Sequence, residues 1–265
     1  MIRPLVLRNL RHARGLLAAL GIGLIAFTTM IVNIAAAFEA NVTVEQLIEL
    51  MPPALRTFIE SQINVASFGA FVAFAFQHPA VTVPCLACMI VLGTIPAAER
   101  EATLLDLLLA RPVRRGEYIA AVVITQTLVA VLLSLGLLIG VTIGLAMVDV
   151  PDEFPWTRYI LCAAAFAPLL LASGGITLLF AAGARRRGPA VVRAVSLILT
   201  LFVIEVLADL WAPFATIRVI SPFHYYKPIA IAVIPELPVW HPLLLLAVFG
   251  VTSFLAYVRF SRRDV

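Results

Sequence analysis

The sequence predicts an all-α polytopic membrane protein, and three observations carry that prediction. Hydrophobic residues make up 62% of the chain and charged residues 13%, against about 45–50% and about 25% in soluble domains. Six apolar stretches reach the roughly 20 residues that a helix needs to cross about 30 Å of hydrocarbon. The basic residues between those stretches gather on one side of the membrane they would cross. Such a composition excludes a cytosolic enzyme, a disordered chain, a collagen-like fibre and a disulfide framework, since a soluble protein could not hide so much apolar surface.

Residues 1–14 place Ile2, Val6, Leu10 and Ala13 on one helical stripe with Arg8 and Arg11 turned away. This predicts an interfacial helix before the chain turns into the bilayer, with a loose basic anchor as the alternative. The first span covers 15–38. Basic residues, an apolar run and then Ala35-Ala36-Ala37 also follow the order of a secretory signal, but the run exceeds the roughly 7–15 residues of a signal core. The segment 39–77 is an outer one. Thr43 followed by Gln46 is a capping-box pattern, and Leu47, Ile48 and Met51 recur at helical spacing. Pro52-Pro53 ends that helix and opens another carrying Leu55, Phe58 and Ile59, so two short amphipathic outer helices are predicted. Asn41-Val42-Thr43 matches a glycosylation acceptor but lies too close to the first span to serve as one.

The second span covers 78–97, with an earlier start left open by the apolar, aromatic run 67–77. The third, 118–148, is long enough to tilt. Its Gly136, Gly140 and Gly144, each four apart, predict a close helix–helix approach. The fourth, fifth and sixth cover 160–184, 194–211 and 240–260. Trp156, Tyr159, Trp211, Tyr225, Tyr226 and Trp240 fall near the expected interfaces, as an aromatic belt does. An even number of crossings puts both ends on one side. Fifteen of the nineteen basic residues lie before span one, between spans two and three, between spans four and five, or after span six. That asymmetry places both termini in the cytoplasm. The net charge of +4 belongs to it and to anionic headgroups, and nucleic acid is not an expected partner.

Few polar groups interrupt the spans. Glu205 and Asp209 share a face near the outer end of span five. Intramembrane carboxylates suggest a cation site or proton relay, and pairing with Arg218 is the structural alternative. Thr29 and Asn33 share a face of span one, either lining a path or bonding another helix. Cys85 and Cys88 have the spacing of a metal or redox pair but lie in an apolar run without a second ligand pair, so packing is expected, and Cys162 also sits in an apolar run. His78, His224 and His241 sit near the outer interface, a weak signal for a metal.

The informative stretch joins spans two and three. Glu99 and Glu101 sit where a helix N-terminus attracts anions, Leu104, Leu105, Leu108 and Leu109 form an apolar face, and Pro112 stops the helix. A short helix with an acidic start, a leucine face and a basic exit suits docking on another protein; an interfacial helix resting on headgroups is the alternative. Glu99-Arg100-Glu101-Ala102-Thr103, then Leu107-Leu108-Leu109-Ala110-Arg111-Pro112-Val113, then Arg115-Gly116-Glu117-Tyr118 resembles the ABC type 2 permease family, the six-span membrane subunits of ATP-driven exporters. Met51-Pro52-Pro53-Ala54-Leu55 and Ser221-Pro222-Phe223-His224 fit the same layout.

The resemblance implies that residues 98–111 are a coupling helix on a separate cytoplasmic ABC ATPase subunit. Glu99, Arg100, Glu101, Thr103, Asp106 and Arg111 would make polar contacts there, and Leu105 and Leu109 apolar ones. It further implies pairing with a second copy or a homologous permease around a path lined by spans one, two and five. Residence in the cytoplasmic (inner) membrane of a prokaryote follows from the same resemblance. The chain is not expected to be an enzyme or to bind a cofactor. A phosphate-gripping loop needs glycines followed by lysine and Ser/Thr, and the only lysine, Lys227, stands in a Tyr-Lys-Pro context. ATP and Mg would belong to the partner. The expected function is export of an amphipathic or lipid-like substrate. The alternatives are an ion-coupled carrier using Glu205 and Asp209, a polytopic lipid-modifying enzyme working through His224, and a complex that transmits force rather than cargo.

Overall fold

The computed structural model describes residues 2–41, 68–105, 114–148, 156–233 and 240–262. The predicted outer helices of 42–67, and Asp106, Leu109 and Arg111 within the predicted coupling helix, lie outside the described residues. The described elements are all helical: α1 (Ile2–Asn41), α2 (Phe68–Gln77), α3 (Pro79–Gly93), α4 (Ile95–Glu101), α5 (Arg115–Leu145), α6 (Trp156–Ala182), α7 (Arg187–Leu210), α8 (Pro228–Val233) and α9 (Trp240–Ser261). Three short 3₁₀ turns, Ala212–Phe214, Arg218–Ile220 and Pro222–Tyr225, separate α7 from α8. Among the described residues, six helical stretches are long and apolar enough to cross a membrane: Ile2–Ala37, Phe68–Gly93, Arg115–Leu145, Trp156–Ala182, Arg187–Leu210 and Trp240–Ser261.

The bundle is organised around α6. In its most apolar stretch 78% of residues are buried, against 22% for α1 and α7 and 17% for α9. α3, α5 and α9 pack on it, whereas α1 lies along α5 and α7 touches the bundle mainly through α6. Leucines, alanines and Phe166 of α6 form the core with Val72 and Phe76 of α2, Cys85, Cys88 and Met89 of α3, and Val129, Leu133 and Leu137 of α5. Cys85, Cys88 and Cys162 are buried free thiols in that core, in keeping with apolar packing.

At the ends of the predicted spans one open alternative is decided and one reading is corrected. Span two begins at Phe68, the earlier start that the apolar run 67–77 left open. His78 separates α2 from α3, and its Nδ1 accepts the Ala80 N–H at 3.1 Å, so it caps α3 instead of ending the crossing. Residues 2–14 do not turn at an interface. They continue into span one as a single 40-residue helix, about 60 Å long and twice the hydrocarbon thickness. Nothing between Arg14 and Leu16 breaks the helix, because a lone glycine costs a helix only about 1 kcal/mol. The apolar stripe does face a partner, but the partner is protein: Leu5 and Val6 are buried with Ala121 of α5, and Asn9 Nδ2 donates to Thr125 Oγ1 at 3.4 Å.

Two of the three predicted packing glycines seat α1 on α5. A Cβ on Gly140 would lie 2.8 Å from the Ile25 carbonyl oxygen, and one on Gly144 would lie 2.6 Å from Val32 Cβ. Gly136 would meet nothing within 4 Å. Residues four apart on an α-helix drift by about 40°, so the first glycine of the series has rotated out of the seam that the other two line. Gly144→Leu and Gly140→Leu are therefore expected to lower the melting temperature of the purified protein markedly, by the overpacking cost of about 1–3 kcal/mol. Gly136→Ala should leave it nearly unchanged.

Candidate functional site

Two polar clusters lie at opposite ends of this bundle. The first is at the basic end, where α1, α4, the start of α5, the α6–α7 turn and the end of α9 converge. Span two stops at Thr94, whose hydroxyl donates back to the Ile90 carbonyl at 2.9 Å, and Pro96 starts α4. The helix predicted through 98–111 is interrupted. α4 ends at Glu101, Ala102 and Thr103 form a turn, and Thr103 carries a φ of 55°. That left-handed conformation is costly for a β-branched residue. It redirects the chain, so Leu104 and Leu105 do not extend the face begun by α4.

The side chains expected to meet another subunit fall into two groups. Glu99 is engaged within the chain: its carboxylate pairs with Arg8 of α1 and accepts from the Tyr118 hydroxyl of α5 at 2.6 Å. Arg100 donates to the Ala184 carbonyl at 2.7 Å and sits 5.5 Å from the centre of the Phe260 ring. Glu101 accepts from the Arg187 backbone N–H at 2.8 Å, and Arg187 Nε reaches Thr94 Oγ1 at 3.3 Å. Leu105, expected as an apolar contact, is 0% exposed and packs with Tyr118, Ile119, Val122, Leu178, Ala182, Ala256 and Phe260. It belongs to the protein's own core, because the turn at Thr103 points it inward. Thr103 is exposed, and so are Ala102 and Leu104, the latter at 49%. Sequence reasoning missed Arg8, Tyr118 and Arg187 as partners and Leu104 as the outward leucine. Arg8 and Glu99 are 91 residues apart, and no local pattern signals such a pair.

Arg115 adds a further tie, donating to the Ser261 carbonyl at 3.2 Å. The short segment 94–105 is thus pinned to four neighbours by charge-assisted hydrogen bonds and a buried leucine. A force applied to its exposed tip would reach α1, α5, α7 and α9 together.

The second cluster lies at the other end of α7. Arg218, on the second 3₁₀ turn, donates through Nη2 to Glu205 Oε1 at 2.5 Å and to Asp209 Oδ1 at 2.9 Å. This pairing explains how two carboxylates are tolerated in span five. His224 Nδ1 lies 3.5 Å from the same Glu205 oxygen. The turns hold this geometry because Ser221 Oγ donates to the Leu201 carbonyl at 2.9 Å and Tyr226 OH donates to the Phe76 carbonyl at 2.9 Å. His78 stands apart with Phe27 and Phe74, whereas His224 and His241 are neighbours. No group of three or more His, Cys, Asp or Glu residues that could hold a metal occurs among the described residues.

Burial holds the His224 imidazole below its usual 6.5, outweighing the pull of Glu205, with Lys227 and Arg218 adding to the lowering. Burial likewise lowers Lys227, and Arg218 reinforces it. For Arg218 burial is the largest influence and works against the charge, but the two carboxylates together outweigh it and raise the pKa. Since the folded chain resists protonating His224 more than the unfolded chain does, stability is full above about pH 6.5 and falls as pH drops below it. Thermal melting at about pH 7.5 and about pH 5.5 should show this loss, and His224→Gln should reduce it.

Thr29 and Asn33 do not join either cluster. Thr29 Oγ1 donates to the Gly140 carbonyl at 3.0 Å across the α1–α5 seam, and Asn33 Nδ2 donates to the Thr29 carbonyl at 2.9 Å. Thr29 thus bonds the neighbouring helix, whereas Asn33 bonds only its own.

The family model of the multidrug efflux system permease Rv1217c, C-terminal domain, matches residues 3–260. No curated protein matches the chain. The chain belongs to that efflux permease family.

Proposed function

From this family membership and the architecture of the basic end, we propose that the chain is the membrane subunit of an ABC exporter in the cytoplasmic membrane of a prokaryote. A separate ATPase supplies the energy. The basic end faces the cytoplasm, as the arginine asymmetry directs. The segment 94–105, continuing into the residues that follow, docks on the ATPase through its exposed tip of Glu101, Ala102, Thr103 and Leu104.

The bracing of that segment is the observation that supports this reading. An interfacial helix resting on headgroups has no need of Glu99 tied at once to α1 and α5, Arg100 to the α6–α7 turn and Glu101 to the start of α7. A lever has that need, because its movement must be carried into the spans. Closure of two ATPases would draw two such levers together and tilt the attached helices. The weakly buried faces of α1 and α7, with Ile22, Val192 and Leu199 exposed, suit pairing with a second permease subunit and contact with lipid. Apolar walls with few charges favour an amphipathic or lipid-like cargo.

Transport by reconstituted protein tests the scheme. Efflux of an amphipathic dye should require both the ATPase subunit and hydrolysable ATP. Efflux that persists without any ATPase, driven by an ion gradient, would overturn it and favour an ion-coupled carrier.

A further inference from the structure

Arginine is the one formally charged residue type in the first four turns of α1, and only one of its four copies there has a carboxylate partner. Arg8 pairs with Glu99. Arg3, Arg11 and Arg14 are exposed and form no ion pair among the described residues. With Leu7, which is 42% exposed, they follow at i, i+4, i+8 and i+11 and so share one face of the helix. That face lies opposite the one on which Leu5, Val6 and Asn9 are buried against α5.

Two open hollows run along the arginine face. One, of about 540 Å³, is lined by Arg3, Pro4, Leu7, Arg8, Arg11 and His12. The next, of about 510 Å³, is lined by Arg11, His12, Arg14 and Gly15. They share Arg11 and His12 and so form one basic furrow, and among the described residues no carboxylate lines it.

Depth decides what can fill the furrow. The hydrocarbon layer takes up about 20 residues of a helix. Counted back from the end of the α1 crossing at Ala37, it reaches to about residue 17. Arg14 and Arg11 then stand about 5 Å and about 9 Å beyond it, at the level of the headgroups. Ala18 and Ile22 continue the same face into the hydrocarbon, and both are exposed. A guanidinium matches phosphate bidentately, and its apolar stem lies comfortably along acyl chains. A second copy laid on this face would set arginine against arginine, which like charges oppose. A soluble protein reaches Arg3 but not the headgroup layer.

We infer that this furrow is a docking site for an anionic phospholipid of the cytoplasmic leaflet. Arg11 and Arg14 hold the headgroup phosphate, and the acyl chains run along Ala18 and Ile22. Arg8 lines the same furrow, so the bound lipid lies beside the residue that braces Glu99. The choice of leaflet follows the arginine asymmetry, and binding needs neither ATP nor cargo.

The test titrates the purified full chain in detergent with dioleoyl-phosphatidylglycerol. Dioleoyl-phosphatidylcholine, with the same chains and no net charge, is the comparison, and native mass spectrometry counts the bound lipids. The wild type should prefer phosphatidylglycerol. Arg11→Gln, and Arg11→Gln/Arg14→Gln, should weaken its binding by about fivefold per arginine removed, with phosphatidylcholine unchanged. Both arginines are exposed and unpaired, so melting temperatures without added lipid should not move. Arg185→Gln/Arg186→Gln/Arg193→Gln removes three exposed charges from the α6–α7 turn and the start of α7, and it should leave the preference intact. Equal losses per charge in this control would reduce the effect to diffuse attraction and overturn the site. Displacement of the lipid by millimolar glycerol phosphate would make the furrow a soluble-anion site and overturn the lipid assignment. Unchanged lipid binding, with ATPase co-purification lost instead, would make the stripe a protein-docking face and likewise overturn it. Intact lipid binding without ATP-driven efflux would count against the transport scheme and leave the site standing.

Discussion

Glu99→Gln is expected to reduce ATP-driven transport at least about tenfold while the ATPase subunit still co-purifies. The substitution keeps the shape of the side chain but removes the charge that holds Arg8 and shortens the Tyr118 contact. Charge-assisted hydrogen bonds contribute about 1.5–3 kcal/mol each when shielded from water, and Glu99 is largely buried, so α4 should loosen from both α1 and α5. Docking through the exposed tip would survive, yet the push would no longer reach the spans. Arg8→Gln should have a similar effect, and the double variant should be little worse than either single one, because both remove the same pair. Additive losses would mean that the two residues act separately.

The second large effect distinguishes adjacent leucines. Leu105→Ala should destabilise the protein by about 2–4 kcal/mol, since it empties a site lined by Tyr118, Leu178, Ala256 and Phe260. Leu104→Ala should change stability by no more than about 0.5 kcal/mol, as surface substitutions do, but should weaken association with the ATPase. Thermal melting and co-purification of the two variants separate the roles. If Leu104→Ala melted early and Leu105→Ala did not, the direction of the turn at Thr103 would be wrong.

Much of the fold was legible because hydropathy and length decide it. Six crossings, the central apolar runs and the basic asymmetry need no tertiary knowledge. What a sequence shows less well is the identity of the surface that covers an apolar face. The stripe of Val6 and Leu10 announces burial, but lipid and α5 are chemically alike to it, and only the structure assigns it to Ala121 and Thr125. Leu104 and Leu105 fit one helical face on paper. The left-handed Thr103 separates them, and a β-branched residue gives no warning of such a turn. The start of span two stayed open between 67 and 78 because both runs are apolar, and the structure decides it: His78 caps the next helix inside a crossing that begins at Phe68. The glycine series shows the same limit: equal spacing marks Gly136, Gly140 and Gly144 alike, but helix drift leaves only the last two in the seam. Glu205 and Asp209 were visible through their four-residue spacing, and Arg218 through its proximity in the chain. The Arg8–Glu99 pair was not, since it joins distant segments that only the packed bundle brings together.

The claim on which the account depends is that the tip at Leu104 meets a foreign, nucleotide-hydrolysing subunit in the cytoplasm. The three native cysteines are buried, so Leu104→Cys introduces an accessible thiol on a quiet background. Intact cells carrying this variant should resist a membrane-impermeant maleimide added outside. Crosslinking through the new thiol in inverted membrane vesicles should capture a protein that mass spectrometry identifies by its nucleotide-binding loop. Labelling from outside, or a thiol that crosslinks only to lipid, would contradict the account.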